Sequence, residues 1–221
     1  MRDISKKILI TLVLQIAYQN IFYILLIPEI YTVSIYVLYL LTNHIIALAD
    51  ALIRPVPKER NPSKIFDFLI LLLFLLSPFF LIAAFYENKL LISLILPFWD
   101  NVIVSYLGFV LYLSGGILAI VARVQLGKFG SGELITEEDH KLCTEGIYEY
   151  IRNPMYSGGI IAVIGFCLVF RSVITLLIVP ILYFIVLKMR IDEEERLLYE
   201  TFGEEFTNYK NKSKRLIPYI Y

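Results

Sequence analysis

The sequence predicts an all-α, polytopic integral membrane protein: a helical bundle of about six transmembrane helices with a cytoplasmic loop and a C-terminal helix. Three observations lead there. Hydrophobic residues make up 58% of the 221-residue chain, and mean hydropathy is +0.72; a soluble domain is about half apolar and about a quarter charged. Charged residues are 18% of this chain and fall between long apolar runs. Several of those runs approach the ~20 residues a helix needs to cross the hydrocarbon core. The formal net charge is zero, so bulk charge points to no nucleic acid.

The elements follow in order. Arg2, Lys6 and Lys7 precede an apolar run, Ile8–Ile27, which is too long for a signal-peptide core and is followed by no small-residue cleavage site. It reads as the first span, stopped at Pro28-Glu29. The second is Ile30–Ile53, ended by Arg54-Pro55-Val56-Pro57. The third is Ile65–Tyr86 and the fourth Val102–Ala122. Met155–Phe170 and Val173–Leu187, separated by Arg171-Ser172, form a helical hairpin. Leu90–Leu96 is too short to cross alone, and either extends the third helix or lies at the interface beside Phe98 and Trp99.

Basic residues test this count. With the N-terminus in the cytoplasm and six alternating spans, only Lys89 and Arg171 lie outside, so 18 of the 20 Lys and Arg residues are cytoplasmic. That is a strong positive-inside bias, and a seventh crossing at Leu90–Leu96 destroys it. Both termini, the 123–154 loop and the C-terminal tail are then cytoplasmic. The chain divides into residues 1–122, four membrane spans, and residues 123–221, which hold the hairpin and both large polar segments.

Polar chemistry concentrates in that second part. Asparagine is a favoured helix N-cap and proline a favoured first helical residue, so Asn153-Pro154 starts the fifth helix at the cytoplasmic interface. Its unpaired N–H groups and positive dipole end favour an anion, and Arg152 adds a fork-shaped cation; as a lone feature Arg152 reads equally as a membrane anchor. The sixth helix runs out into residues 188–196, and at 100° per residue Ile191, Leu198 and Phe202 share a face. Glu195 falls on that face, Glu194 borders it and Glu193 points away. The alternative is a solvated acidic helix start. Gly108, Gly115 and Gly116 in the fourth helix, and Gly158, Ala162 and Gly165 in the fifth, read first as close helix packing.

Asn43, His44 and Asp50 lie inside the second span, where ionisable residues are functional candidates. Cys143 and Cys167 are far apart, and no His/Cys/Asp set has metal spacing, so neither a disulfide framework nor a metal site is expected. Gly127-Lys128-Phe129-Gly130-Ser131-Gly132 has the look of a phosphate loop, but it follows a membrane helix rather than a strand and lacks Walker spacing, which argues against one.

One series of motifs is specific in its order and spacing. It runs Gln125-Leu126-Gly127, His140-Lys141-Leu142-Cys143-Thr144-Glu145-Gly146-Ile147-Tyr148 and Tyr150-Ile151-Arg152-Asn153-Pro154-Met155-Tyr156-Ser157-Gly158. Then come Glu194-Glu195-Arg196-Leu197-Leu198, Phe202-Gly203-Glu204-Glu205-Phe206, Tyr209 and Leu216-Ile217-Pro218. This stretch of about 95 residues resembles the isoprenylcysteine carboxyl methyltransferase and phospholipid methyltransferase superfamily. The resemblance implies a membrane enzyme using S-adenosylmethionine (SAM) on a lipid-like acceptor that arrives from the bilayer. It implies SAM contacts at His140, Gly146, Tyr148, Arg152, Asn153, Pro154, Tyr156, Glu194 and Glu195, with Arg152, Glu194 and Glu195 as the catalytic residues. Arg152 is expected on the methionyl carboxylate, and Glu194 or Glu195 on the α-ammonium or ribose hydroxyls. The superfamily often has histidine where this chain has Asn153, which excludes an imidazole base there.

Two other readings stay open. Membrane sterol reductases using NADPH share a similar Asn-Pro-x-Tyr turn and a tail like Ile217-Pro218-Tyr219-Ile220-Tyr221, but usually carry an acid where this chain has Gly159. A non-catalytic membrane protein could keep the same fold. The first two spans align with nothing, so the acceptor is left undecided between a carboxylate and an amine.

Overall fold

The structure, a computed structural model, describes residues 9–10, 13, 16–54, 64–127 and 142–217, with backbone alone at 64–67 and 70. The described elements are helical. In chain order they are α1 (Tyr18–Leu26), α2 (Ser34–Ile53), α3 (Lys64–Glu87), α4 (Val102–Leu126), α5 (Pro154–Val169), α6 (Val173–Phe202) and α7 (Glu204–Lys212). Among the described residues, four helical stretches are long and apolar enough to cross a membrane: Ser34–Ile53, Leu71–Ile95, Val102–Leu126 and Val173–Phe202. α5 is apolar and shorter, at 16 residues. Large side chains such as Leu25, Leu94, Leu177 and Ile181 are exposed, as expected of helices that face lipid rather than water. The chain is an integral, multi-pass membrane protein.

Several boundaries differ from the sequence expectation, each for a local reason. α2 begins at Ser34 rather than Ile30 because Pro28–Thr32 forms a tight 3₁₀ turn, in which the Thr32 hydroxyl donates to the Glu29 carbonyl at 2.7 Å. Leu90–Leu96 takes the first of its two expected placements: a π-helical turn, Asn88–Ile92, continues α3 into Ser93–Ile95. By contrast, the sixth helix runs out through the acidic residues as expected, so α6 is a single helix of 30 residues.

Pro78 lies inside α3, where proline removes the donor to the carbonyl four residues back. That carbonyl, on Phe74, accepts from the Ser77 hydroxyl at 2.7 Å instead, and Ser77 in turn accepts from Gln19 of α1 at 3.1 Å. The start of α6 is capped from another helix. The buried Glu87 carboxylate, at the end of α3, accepts from the amides of Ile174 (2.6 Å) and Thr175 (2.9 Å) and from the Thr175 hydroxyl (2.7 Å). Those amides have no intrahelical partner, and a carboxylate there also meets the positive end of the helix dipole.

Glycines bring α4 and α5 into backbone contact. A Cβ at Gly158 would lie 2.8 Å from the Ala119 amide, and one at Gly165 would lie 2.7 Å from the Gly108 carbonyl. The packing role expected of these small residues is the one they have. At the end of the bundle away from the polar loop, Tyr36, Tyr39, Tyr112, Phe85, Phe166 and Phe170 form a buried aromatic cluster. Tyr36 stacks on Phe170 with centroids 4.7 Å apart. Arg171, held at φ 54° in the α5–α6 turn, ties this end by pairing with Asp100 at 2.8 Å and donating to the Tyr36 hydroxyl at 2.8 Å.

Candidate functional site

The site is built where α5 begins, from three chain segments that converge on it. The first is the turn Gly146–Glu149. Gly146 adopts φ 62°, which favours glycine, and a Cβ there would lie 2.7 Å from the Gln125 side chain. The close approach lets the Gln125 carboxamide oxygen accept from the Ile147 amide at 3.0 Å. Tyr148 is thereby turned inward; its hydroxyl donates to the Ala122 carbonyl of α4 at 3.2 Å, and its own carbonyl accepts from the Tyr209 hydroxyl of α7 at 2.6 Å. Burial pushes the Tyr148 phenol above its ordinary pKa, and burial does the same to Tyr209.

The second segment is the start of α5 itself. Pro154 occupies the first turn, as expected, and Asn153 stands at the N-cap position, its carbonyl accepting from the Tyr156 and Ser157 amides at 3.1 Å each. The Asn153 side chain does not cap the helix. Its amide donates instead to the Arg215 carbonyl at 3.2 Å and toward Glu195 at 3.5 Å. A buried carboxylate and a carbonyl that need donors outcompete the helix N–H groups for this side chain.

The third segment is a C-terminal strap, residues 213–216, which runs parallel to residues 150–153. Lys214 donates to the Tyr150 carbonyl at 2.9 Å, Arg152 to Lys214 at 2.8 Å and Asn153 to Arg215 at 3.2 Å, all through backbone groups. The Ser157 hydroxyl donates to the Leu216 carbonyl at 2.6 Å.

α6 supplies the acids. Glu195 is buried and pairs with Arg152 at 3.1 Å and with Arg215 at 3.3 Å. Arg152 also donates to the carbonyls of Lys210 and Ser213. Glu194 accepts from the Tyr156 hydroxyl at 2.6 Å and from Arg190 at 2.9 Å. Glu193 turns outward to the exposed Arg196 at 2.6 Å.

Arg152, Asn153, Pro154, Tyr156, Glu194 and Glu195 are thus gathered at one point. Gly146 and Tyr148 hold the neighbouring turn against α4, and His140 lies outside the described residues. Sequence reasoning gave no site role to three contributors. Arg190 was legible as an i, i+4 partner of Glu194. Tyr209 stood in the motif series without a partner, and Arg215 carried no local signal, because their partners are 20 or more positions away. Asp50, singled out within the second span, pairs with Arg54 at 2.5 Å and with the buried Arg123 of α4. Among the described residues no group of three or more His, Cys, Asp and Glu side chains is placed to hold a metal ion.

Known proteins resemble this chain in both sequence and fold. Residues 103–205 match the family model described as phospholipid methyltransferase. The probable protein-S-isoprenylcysteine O-methyltransferase of Oryza sativa subsp. indica is 29% identical over 119 residues, covering 53% of this chain and 62% of that protein. The protein-S-isoprenylcysteine O-methyltransferase of Schizosaccharomyces pombe is 32% identical over 118 residues, covering 52% and 49%. The match spans about three-fifths or less of the length of these curated relatives. Among solved structures, the eukaryotic intramembrane Ras methyltransferase ICMT (isoprenylcysteine carboxyl methyltransferase) superposes with a TM-score of 0.62 at 20% identity, over 98% of this chain and 74% of that one. At that identity the likeness is one of fold.

Proposed function

We propose that the chain belongs, through residues 103–205, to the isoprenylcysteine carboxyl methyltransferase and phospholipid methyltransferase superfamily, and that it is a SAM-dependent membrane methyltransferase acting on a lipid-like or prenylated acceptor. One observation carries the proposal: the two motif stretches, near residues 150 and 195, meet through Arg152–Glu195 and Tyr156–Glu194 at the start of α5. Residues 123–221 are the catalytic region in this reading. The basic-residue asymmetry supports a cytoplasmic location for that region and for both termini.

The residues fit such a donor. Glu194 is partly exposed, at 22% of its side chain, and a carboxylate has about four lone-pair sites. It retains acceptor capacity for an α-ammonium or for ribose hydroxyls beyond its bonds to Tyr156 and Arg190. The partly exposed ring of Tyr156 offers a negative π face to a cation. Arg152 clamps Glu195 and the strap, so its geometry favours positioning the acid and the start of α5. To receive a methionyl carboxylate it would exchange one of those contacts.

When bound, SAM supplies a methyl group already activated by a sulfonium. The protein then needs mainly to align the acceptor in line and keep water out. Glu194 and Tyr156 would hold the donor, which would supply the methyl group to the acceptor's lone pair and leave as S-adenosylhomocysteine. A carboxylate acceptor ends as a neutral ester and needs no base. An amine acceptor must first lose a proton, which a glutamate can take.

The test is thermal stabilisation of detergent-purified protein. S-adenosylhomocysteine or SAM is expected to stabilise it. Stabilisation by NADPH alone would move the assignment to the reductases, and no response to either would favour a non-catalytic role.

A further inference from the structure

A cavity of about 580 Å³ lies between α2, α4 and α5, with Phe74 of α3 closing one side. That volume is in the range of about 300–1,000 Å³ usual for small-molecule sites. It adjoins the candidate site, because Gly158 and Gly159 line it within one turn of Tyr156.

The two walls of this cavity differ in chemistry. The wall from α4 and α5 is formed largely by Gly115, Gly116, Ala119, Gly158, Gly159 and Ala162. Its polar side chain, Tyr112, turns its hydroxyl to Asn43 at 2.8 Å. This wall is also fixed in shape, since added Cβ atoms at Gly115 and Gly158 would collide with the facing helix backbone. The α2 wall presents Asn43, Ile46, Ala47, Asp50, Ala51 and Arg54, a single helix face at the 3–4 spacing. Among the described residues, the charged groups lining the cavity come from it. α2 also lies outside residues 103–205, the part matched to the family.

From this division we infer that α2 selects the methyl acceptor, with Asp50 and Ala47 as specificity-determining residues. The inference rests on the methyltransferase reading and deepens it. Asn43 and Asp50 are seven residues apart, about 10 Å along the helix. They bracket an apolar stretch that takes the hydrocarbon chain of an amphiphile. Its polar end lies at Asp50 and Arg54, next to Gly158 and the start of α5. Asp50 also pairs with Arg123, whose neighbour Ala122 holds the Tyr148 hydroxyl. The acceptor-selecting helix is thereby tied to the turn beside the donor site.

The test compares kcat/KM across four acceptors, combining a carboxylate or primary amine head with a short or long branched chain. Donor affinity is read separately as the Kd of S-adenosylhomocysteine. Ala47→Leu narrows the cavity without touching a charge, and is expected to shift the long-to-short ratio by about tenfold or more. Asp50→Asn is expected to shift the carboxylate-to-amine ratio. Donor Kd is expected to stay within about twofold in both, less than ~0.5 kcal/mol. Either shift supports the inference, and Ala47→Leu decides it alone if Asp50→Asn does not fold. Unchanged ratios at unchanged donor affinity would overturn it and leave the methyltransferase reading standing. No donor binding and no methyl transfer by the unsubstituted protein would overturn that reading, and this inference with it.

Discussion

Arg152 and Glu195 meet at 3.1 Å across 43 residues of sequence, with side chains 8% and 9% exposed. A buried pair is an expensive way to join two segments, because both ions leave water. The geometry offsets this with further bonds: Arg152 reaches the Lys210 and Ser213 carbonyls, and Glu195 also meets Arg215. One contact therefore locks the start of α5, the C-terminal part of α6 and the C-terminal strap together.

Removing one partner of such a pair leaves an uncompensated buried charge, at a cost of about 3–5 kcal/mol. Arg152→Ala is expected to lower thermal stability and abolish donor binding together. Glu195→Gln keeps the shape and an acceptor oxygen but leaves Arg152 and Arg215 without their shared counter-charge, so it is expected to lower thermal stability less than Arg152→Ala does and to bind the donor at least about tenfold more weakly. Glu194→Gln should act similarly through Tyr156. Glu193→Gln, paired only with surface Arg196 in this array, should change binding by less than about threefold. Isothermal titration with S-adenosylhomocysteine reads all four. Equal small effects at 193, 194 and 195 would mean that the acidic run does not hold the donor.

The α4–α5 contact predicts a graded response at two neighbouring glycines. Gly165→Ala places a methyl 2.7 Å from the Gly108 carbonyl, so two helix backbones must separate. Overpacking of this kind costs about 1–3 kcal/mol. Gly159→Ala meets the Tyr183 hydroxyl, the far end of a side chain that can turn aside. Thermal melts in one detergent should show a clearly larger loss for Gly165→Ala. The reverse order would contradict the close helix approach.

The two thiols should be separable by alkylation. Burial raises the pKa of Cys143 above the ordinary thiol range, so less of the reactive thiolate is present at a given pH. Cys167 is fully buried. In folded protein, iodoacetamide should modify Cys143 slowly at pH 8 and faster as the pH rises past the ordinary value of about 8.5. Cys167 should react only after denaturation. Mass spectrometry of the modified peptides distinguishes these outcomes, and fast modification of Cys143 at pH 7 would count against its burial.

Topology can be read with single cysteines in a cysteine-free background. Positions Glu145 and Lys212 are exposed in the structure, and Lys89 is exposed at the opposite end of α3. A membrane-impermeant maleimide should label Glu145→Cys and Lys212→Cys from one side, and Lys89→Cys from the other. Labelling of Glu145→Cys and Lys212→Cys from opposite sides would break the arrangement in which the turn and the strap share a site.

The sequence alone determined the membrane class, the hairpin and the motif residues. These follow from quantities that local order contains: run length against bilayer thickness, the Pro154 helix start, and helical phase. Phase alone separated Glu193 from Glu194 and Glu195, and the structure turns Glu193 toward Arg196 and the other two inward. The start of α2 was less legible, because the turn at Pro28–Thr32 depends on what caps it. The tertiary structure decided the partners. Glu87 caps a helix that starts 86 residues later, Arg215 reaches Asp192 and Glu195, and Asp50 meets Arg123. None of these leaves a local pattern, because a buried charge takes its counter-charge from whichever segment the fold brings near. For the same reason the Asn153 side chain was drawn away from the helix end it precedes: its neighbours in space, Glu195 and the strap, had the stronger demand for its donors.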